Sequence, residues 1–265
     1  AIGGTGLFEY SNSGYTNLPG QIFVAVPADA TVEQVLLYWN VEVYHPSHAD
    51  NEAVVNGVPV VGQSIGGPTH FFSSVNYQSF RADITGLGVV QPGANTVEVS
   101  EIDSSYRTTG AGIVVIYDDG TPADLRLNDG LDLAYWNFAG DLNSTAPVTW
   151  SIIPTTTDRV AEIPLLVGSV GDARPNVIEV QVGSTVYTYV DLLTSIDGTE
   201  WDSQLLEVPV PAGASEVTVQ ILSEDGNNTG RNPASIAWIA AGLAVREGLG
   251  GEGEGEGEEE CLPCD

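Results

Sequence analysis

Apolar residues along this chain fall into short runs, some alternating with polar residues and some unbroken, with Gly, Pro, Asn and Asp between them. Between 21 and 119 the runs IFVAVP (22–27), VEQVLLYWNVEVY (32–44), AVVNGVPVVG (53–62), FRADITGLGVV (80–90), NTVEVSEI (95–102) and AGIVVIYDD (111–119) predict strands. Asn56-Gly57, set between Val54-Val55 and Val58, is the residue pair of a two-residue hairpin turn. Pro92-Gly93 and Asp119-Gly120 mark further turns. No window sustains an i, i+3, i+4, i+7 pattern over three turns, so helix is expected to be scarce.

The same grammar resumes from 120 to 247. APVTWSIIP (146–154), RVAEIPLLVGSV (159–170), NVIEVQVGSTVYTYVDLL (176–193), SQLLEVPV (203–210), SEVTVQILSE (215–224) and PASIAWIAAGLAV (233–245) predict strands. The two halves repeat one plan. Pro92-Gly93-Ala94-Asn95 leads into TVEVSE as Pro211-Ala212-Gly213-Ala214-Ser215 leads into EVTVQILSE. Each half then ends on a nearly continuous apolar strand, 110–117 in the first and 234–245 in the second. A strand without polar alternation is one buried on both faces, packed between layers. The expectation is an all-β chain of two tandem, jelly-roll-like β-sandwich domains, 21–119 and 120–247. A Gly- and Asn-rich extension, 1–20, precedes them, and an acidic tail, 248–265, follows.

Composition narrows the function. Seven Lys plus Arg against thirty-six Asp plus Glu give a net charge of −29, and all seven basic residues are arginine. Such a chain is repelled by phosphate backbones, which argues against nucleic-acid binding. Without lysine there is no Schiff-base chemistry, no P-loop and no isopeptide staple. No apolar run approaches the ~20 residues of a membrane-spanning helix. The absence of Met, position 1 included, points to an exported chain whose leader ends before Ala1. An extracellular or cell-surface location follows, and the sequons Asn143-Ser-Thr145 and Asn227-Asn-Thr229 agree with it.

Both cysteines lie in the last five residues, Cys261-Leu-Pro-Cys264-Asp, behind the Gly/Glu stretch GLGGEGEGEGEEE. Two thiols supply half of a structural zinc site, and neither the His of a haem motif nor a βαβ context accompanies them. A disulfide remains, either local or between subunits. Alternating Gly and Glu bury no apolar surface, so the tail has no fold of its own to adopt.

Gly62-Gln63-Ser64-Ile65-Gly66 matches G-x-S-x-G, but Gly67-Pro68 follows where a nucleophile elbow needs a helix. His45-Pro-Ser-His48-Ala-Asp50 offers two imidazoles and a carboxylate, one ligand short of a zinc site. Calcium is the more suggestive cofactor. Asp118, Asp119, Asp124, Asn128, Asp129 and Asp132 supply the oxygen ligands it takes, although Arg126 interrupts the spacing. No catalytic triad or complete metal site assembles from these residues, and the reading is of a protein that is not an enzyme.

VLLYWN (35–40), GAGIVVIYDDG (110–120), LNDGLDLAY (127–135), RPNVIEVQVGST (174–185) and NPASIAWIAAGL (232–243) resemble a family of secreted, all-β envelope proteins of archaea, notably methanogens, and of bacteria. The resemblance covers about residues 30–245 and implies a cell-surface protein similar to sheath and surface-layer components, with no assigned reaction. The first expectation is therefore the structural subunit of an extracellular polymer: a filament, sheath or surface layer whose main partner is itself. Strand donation by the segment carrying Ile2, Leu7, Phe8 and Tyr10 would join copies, and Cys261 and Cys264 would cross-link them. The alternative is a calcium-dependent adhesin or carbohydrate-binding module, with Trp201 as the exposed aromatic for a cell-surface glycan.

Overall fold

The computed structural model describes residues 1–247 apart from 12–13, 18, 45–48, 50, 73 and 103–106, with the backbone alone for 8–11, 14–17 and 247. The chain is all-β: among the described residues the only helical element is a single 3₁₀ turn at Thr85–Leu87. The first half runs β1 (Ile2–Gly6), β2 (Phe8–Ser11), β3 (Gly14–Asn17), β4 (Gly20–Val26), β5 (Thr31–Tyr44), β6 (Glu52–Val55), β7 (Val58–Val61), β8 (Gln63–Phe72), β9 (Val75–Asp83), β10 (Gly93–Ser100) and β11 (Arg107–Asp118). The second runs β12 (Ala123–Ala134), β13 (Val148–Ser151), β14 (Arg159–Gly168), β15 (Val177–Val182), β16 (Thr185–Val190), β17 (Trp201–Val210), β18 (Glu216–Leu222) and β19 (Ile236–Glu247).

In the second half the sheets are β12-β19-β14-β17 and β13-β18-β15-β16. Counted within that half, the order is 1-8-3-6 facing 2-7-4-5, the connectivity of an eight-stranded jelly roll. The first half repeats it with β1-β11-β5-β9 facing β4-β10-β6-β7, and β8 is added beside β9. Asn56 and Gly57 both take positive φ, 47° and 80°, as the hairpin turn between β6 and β7 requires.

Residues 1–20 are not an extension outside this plan. β1 is the counterpart of β12 and pairs antiparallel with β11 from Ile2↔Val114 to Gly6↔Gly110. Its glycines let it press close: a Cβ at Gly3 would stand 2.3 Å from the Phe23 carbonyl oxygen of β4. Beyond residue 20 the reading also missed two strands. β8 carries the breakers Gly66-Gly67-Pro68, which it absorbs through register shifts against β9. β12 hides Leu125, Leu127, Leu131 and Leu133 among the polar residues taken for an acidic loop.

The unbroken apolar strands expected at 110–117 and 234–245 are inner strands: Ala111, Ile113 and Val115 of β11 face one core and Val114 another, Trp238, Ala241 and Leu243 of β19 face one core and Ile239 another, and β5 divides in the same way. Along β5, Val35, Leu37, Trp39, Val41 and Val43 enter the core of the first jelly roll. Leu36 and Tyr38, on the opposite face, enter a second core with Leu166, Trp201, Ala237 and Ile239. The sheets carrying β5 and β14 thus pack back to back, and the two jelly rolls form four layers with three hydrophobic cores.

Candidate functional site

The residues expected to join copies are already engaged within the chain. Ile2 pairs with Val114, and Leu7 is 2% exposed in the first core. Phe8 and Tyr10 lie on β2, paired with β3 opposite Asn17 and Tyr15, and their side chains lie outside the described residues. Strand donation by this segment is thereby corrected: β1 closes its own sheet because the repeat needs a strand there. Cys261, Cys264, the tail, His45, His48 and Asp50 lie outside the described residues.

The six acidic-loop positions do not converge on one point. Asp118 and Asp119 cap their turn, accepting from the backbone N–H of Gly120 and Thr121. Asp119 also binds Arg246 at 2.9 Å, and Asp124 pairs with Arg126. Asn128 accepts from Trp150 Nε1 at 2.7 Å, Asp129 from Arg81 and Tyr38, and Asp132 from the Ala146 N–H. Four of the six stand on β12, whose alternation sends neighbouring side chains to opposite faces. Among the described residues no three His, Cys, Asp or Glu side chains gather as a metal site.

Trp201, taken as an exposed aromatic, is wholly buried between the jelly rolls. Trp39, Trp150 and Trp238 are core residues too, and Trp136 alone of the five is partly exposed, at 37%. Ser64 of the G-x-S-x-G match lies on β8, and Gly66 is flattened against Leu131 of β12.

Polar contacts tie the two jelly rolls together. Tyr38 Oη donates to Asp129 at 3.0 Å, and Arg81 binds the same carboxylate at 2.5 Å. Burial, then the neighbouring Asp129 charge, pushes the Tyr38 phenol well above its ordinary value. Tyr77 Oη meets Ser169 Oγ at 3.0 Å, and Ser169 passes the chain on to Ser235. Near Tyr77, Glu42 is 1% exposed and binds Arg107 at 2.5 Å. Burial raises the Glu42 carboxyl, and Arg107 offsets this only in part. On the other flank a cleft of about 780 Å³ opens between the halves, lined by Val114, Leu125, Pro164 and Leu205. Arg246 stands at its edge, bound to Asp119, Tyr117 and Glu162. Asp129, Ser169 and Arg246 hold the two halves in register, whereas Glu42 and Arg107 pair within the first half.

The outer sheet edges differ in a way that bears on partners. An unpaired edge is a template for another chain unless Pro, charge, bulges or brevity blunt it. β7 contains Pro59, and β8 contains Gly66, Gly67 and Pro68. β12 carries Asp124, Arg126, Asp129 and Asp132; β17 carries Asp202, Glu207 and Pro209. β2, β3 and β13 are only four residues long, and the remaining edges β1 and β4 abut each other. β16, Thr-Val-Tyr-Thr-Tyr-Val, has none of these features and pairs on one side only, with β15. Val186 is 51% and Val190 37% exposed, while Tyr187 and Tyr189 pack toward the core inside the second jelly roll. Sequence reasoning included this stretch as a strand but could not see that it is an edge. The available signal was six consecutive uncharged, β-favouring residues in a strongly acidic chain.

No protein-family model matches the chain, and no curated protein sequence does. Among solved structures, that of infectious bursal disease virus Gx strain is similar at 11% identity and TM-score 0.31, over 95% of this chain and 68% of that one. The ANX1 ectodomain from Arabidopsis thaliana is similar at 9% identity and TM-score 0.28, over 87% of this chain and 82% of that one. The cycloalternan-forming enzyme from Listeria monocytogenes in complex with a pentasaccharide is similar at 11% identity and TM-score 0.30, over 92% of this chain but 22% of that one. Likeness at this distance carries nothing about chemistry or partners.

Proposed function

We propose that this chain is the structural subunit of an extracellular polymeric assembly, a filament, sheath or surface layer, whose copies meet through strand pairing at β16. One observation carries the reading: β16 is a full-length, uncharged, unblunted edge strand in a chain whose other described edges are shortened, charged, broken or covered. Its six residues contain no Pro, Gly or charge, although the chain as a whole carries −29. A permanent partner strand is the simplest use for such an edge. The four-layer body supports the reading, because two jelly rolls locked back to back make a stiff block. Cys261 and Cys264 would provide the second, covalent contact between neighbours. The resemblance to secreted envelope proteins points the same way.

The test is sedimentation of the native chain without reductant, with calcium or with chelator, followed by addition of reductant. Particles larger than a dimer that survive chelation and shrink to dimers with reductant support strand pairing plus disulfide cross-links. A monomer in every condition contradicts the proposal.

A further inference from the structure

We infer that two copies of this chain pair antiparallel through β16 about a two-fold axis at Thr188, joining their outer four-stranded sheets into one. The inference deepens the proposed assembly and rests on it for its setting. Its own warrant is the strand. Val186-Tyr187-Thr188-Tyr189-Val190 reads the same in both directions. With Thr188 opposite Thr188 of the partner subunit, Val186 faces Val190 of the partner subunit and Tyr187 faces Tyr189 of the partner subunit. An isologous contact must be complementary to itself, and this segment is.

The hydrogen bonds fit the same register. Asp191 N–H donates to Asn176 O at 2.8 Å, so the odd-numbered residues of this stretch direct their backbone groups toward β15. By the alternation of an antiparallel ladder, Val186, Thr188 and Val190 direct theirs to the open edge. In the proposed register each of these three meets a residue whose groups also point outward, giving about six new backbone hydrogen bonds. A slip of one residue would set outer-face Val against inner-face Tyr, which the pleat forbids.

Side chains and charge agree. On the outer face Val lies against Val, covering two residues now half exposed. On the inner face the tyrosines of both copies extend the core inside the second jelly roll, against which Tyr187 and Tyr189 already pack. The carboxylate behind Thr188 in the pairing direction is Glu179, opposite it on β15. Its counterpart in the other copy stands three strand spacings away, about 14 Å, beyond a Debye length of about 8 Å at physiological salt. The contact is closed by its two-fold, so it yields pairs. Growth beyond pairs needs a second contact.

Single-cysteine cross-linking in a Cys261→Ser, Cys264→Ser background tests the register. Opposed residues of a hydrogen-bonded antiparallel pair have Cα atoms about 5.5 Å apart, within disulfide range. Under mild oxidation Thr188→Cys should give disulfide-linked dimers by itself. Val186→Cys alone should not, whereas a mixture of Val186→Cys with mass-tagged Val190→Cys should give the mixed dimer. Thr188→Lys should sediment as a monomer with unchanged melting. Val186→Cys cross-linking to itself as readily as Thr188→Cys, or Thr188→Lys dimers as tight as wild type, would overturn the two-fold. Large particles that persist in Thr188→Lys would overturn this contact, and β16 as the joining strand with it, while leaving the chain a polymer subunit joined elsewhere. A wild-type monomer throughout would remove both.

Discussion

The indole of Trp201 rests on Gly4 so closely that a Cβ at position 4 would stand 2.4 Å from its Nε1. Gly110 lies under the same ring, where a Cβ would meet Cε3 at 2.5 Å. One side chain from the second jelly roll thus presses onto the backbone of two strands of the first.

Gly4→Ala should destabilise the chain by about 1–3 kcal/mol through overpacking. Trp201→Ala should cost about 3–5 kcal/mol by opening a cavity between the halves. Urea denaturation followed by tryptophan fluorescence and by circular dichroism measures both. A loss under ~0.5 kcal/mol for Trp201→Ala, the range of ordinary surface substitutions, would contradict the packing described.

The Asp129 carboxylate on β12 binds Arg81 and Tyr38 on two strands of the facing sheet. Asp129→Ala leaves the buried phenol without its acceptor and should cost about 1–3 kcal/mol. Tyr38→Phe in the Asp129→Ala background should cost less than in wild type, since the pair then has nothing left to lose. Equal costs in both backgrounds would show that the two residues act independently.

Glu42 gives the pH dependence a sign. Its folded-state value is raised above the ordinary 4.5, burial being the main cause. Its contribution to stability is therefore fully present below 4.5 and is lost as pH rises through the raised folded value. Glu42→Gln removes that dependence, so wild type minus variant stability should fall as pH rises from 4.5 toward 8. Denaturation midpoints across that range test it, and a difference that grows with pH would contradict the assignment. Glu42→Ala, which removes the carboxylate that Arg107 binds, should cost about 3–5 kcal/mol.

A net charge of −29 on one block favours expansion and separation of copies. Raising sodium chloride from about 10 mM to 150 mM shortens the Debye length from ~30 Å to ~8 Å. Melting temperature should rise over that interval, and dimer dissociation should weaken. A melting temperature that falls with salt would mean that favourable ion pairs outweigh the repulsion.

Much of this fold can be read from the residues themselves. Alternation along Gly20–Val26 and the Asn56-Gly57 turn are local signals, and the structure uses them as expected. The unbroken runs 110–117 and 234–245 marked inner strands, which their division between cores explains. β12 was missed because its leucines alternate with Asp, Arg and Asn, which local reading takes for a loop. Trp201 was misread because Gly and Asp surround it in sequence, while the residues that bury it, Gly4 and Gly110, are remote. Ile2 was assigned to another copy for the same reason: its pairing with Val114 spans most of the first half. The open edge at β16 follows from strand order alone, which no local pattern contains.

The most direct measurement is sedimentation velocity of the full chain in reductant at physiological salt, wild type beside Thr188→Lys. A wild-type dimer that forms with concentration, and a Thr188→Lys monomer of equal thermal stability, is the predicted result. Identical sedimentation of the two proteins, as monomers or as dimers, would contradict the account of β16 as the joining strand.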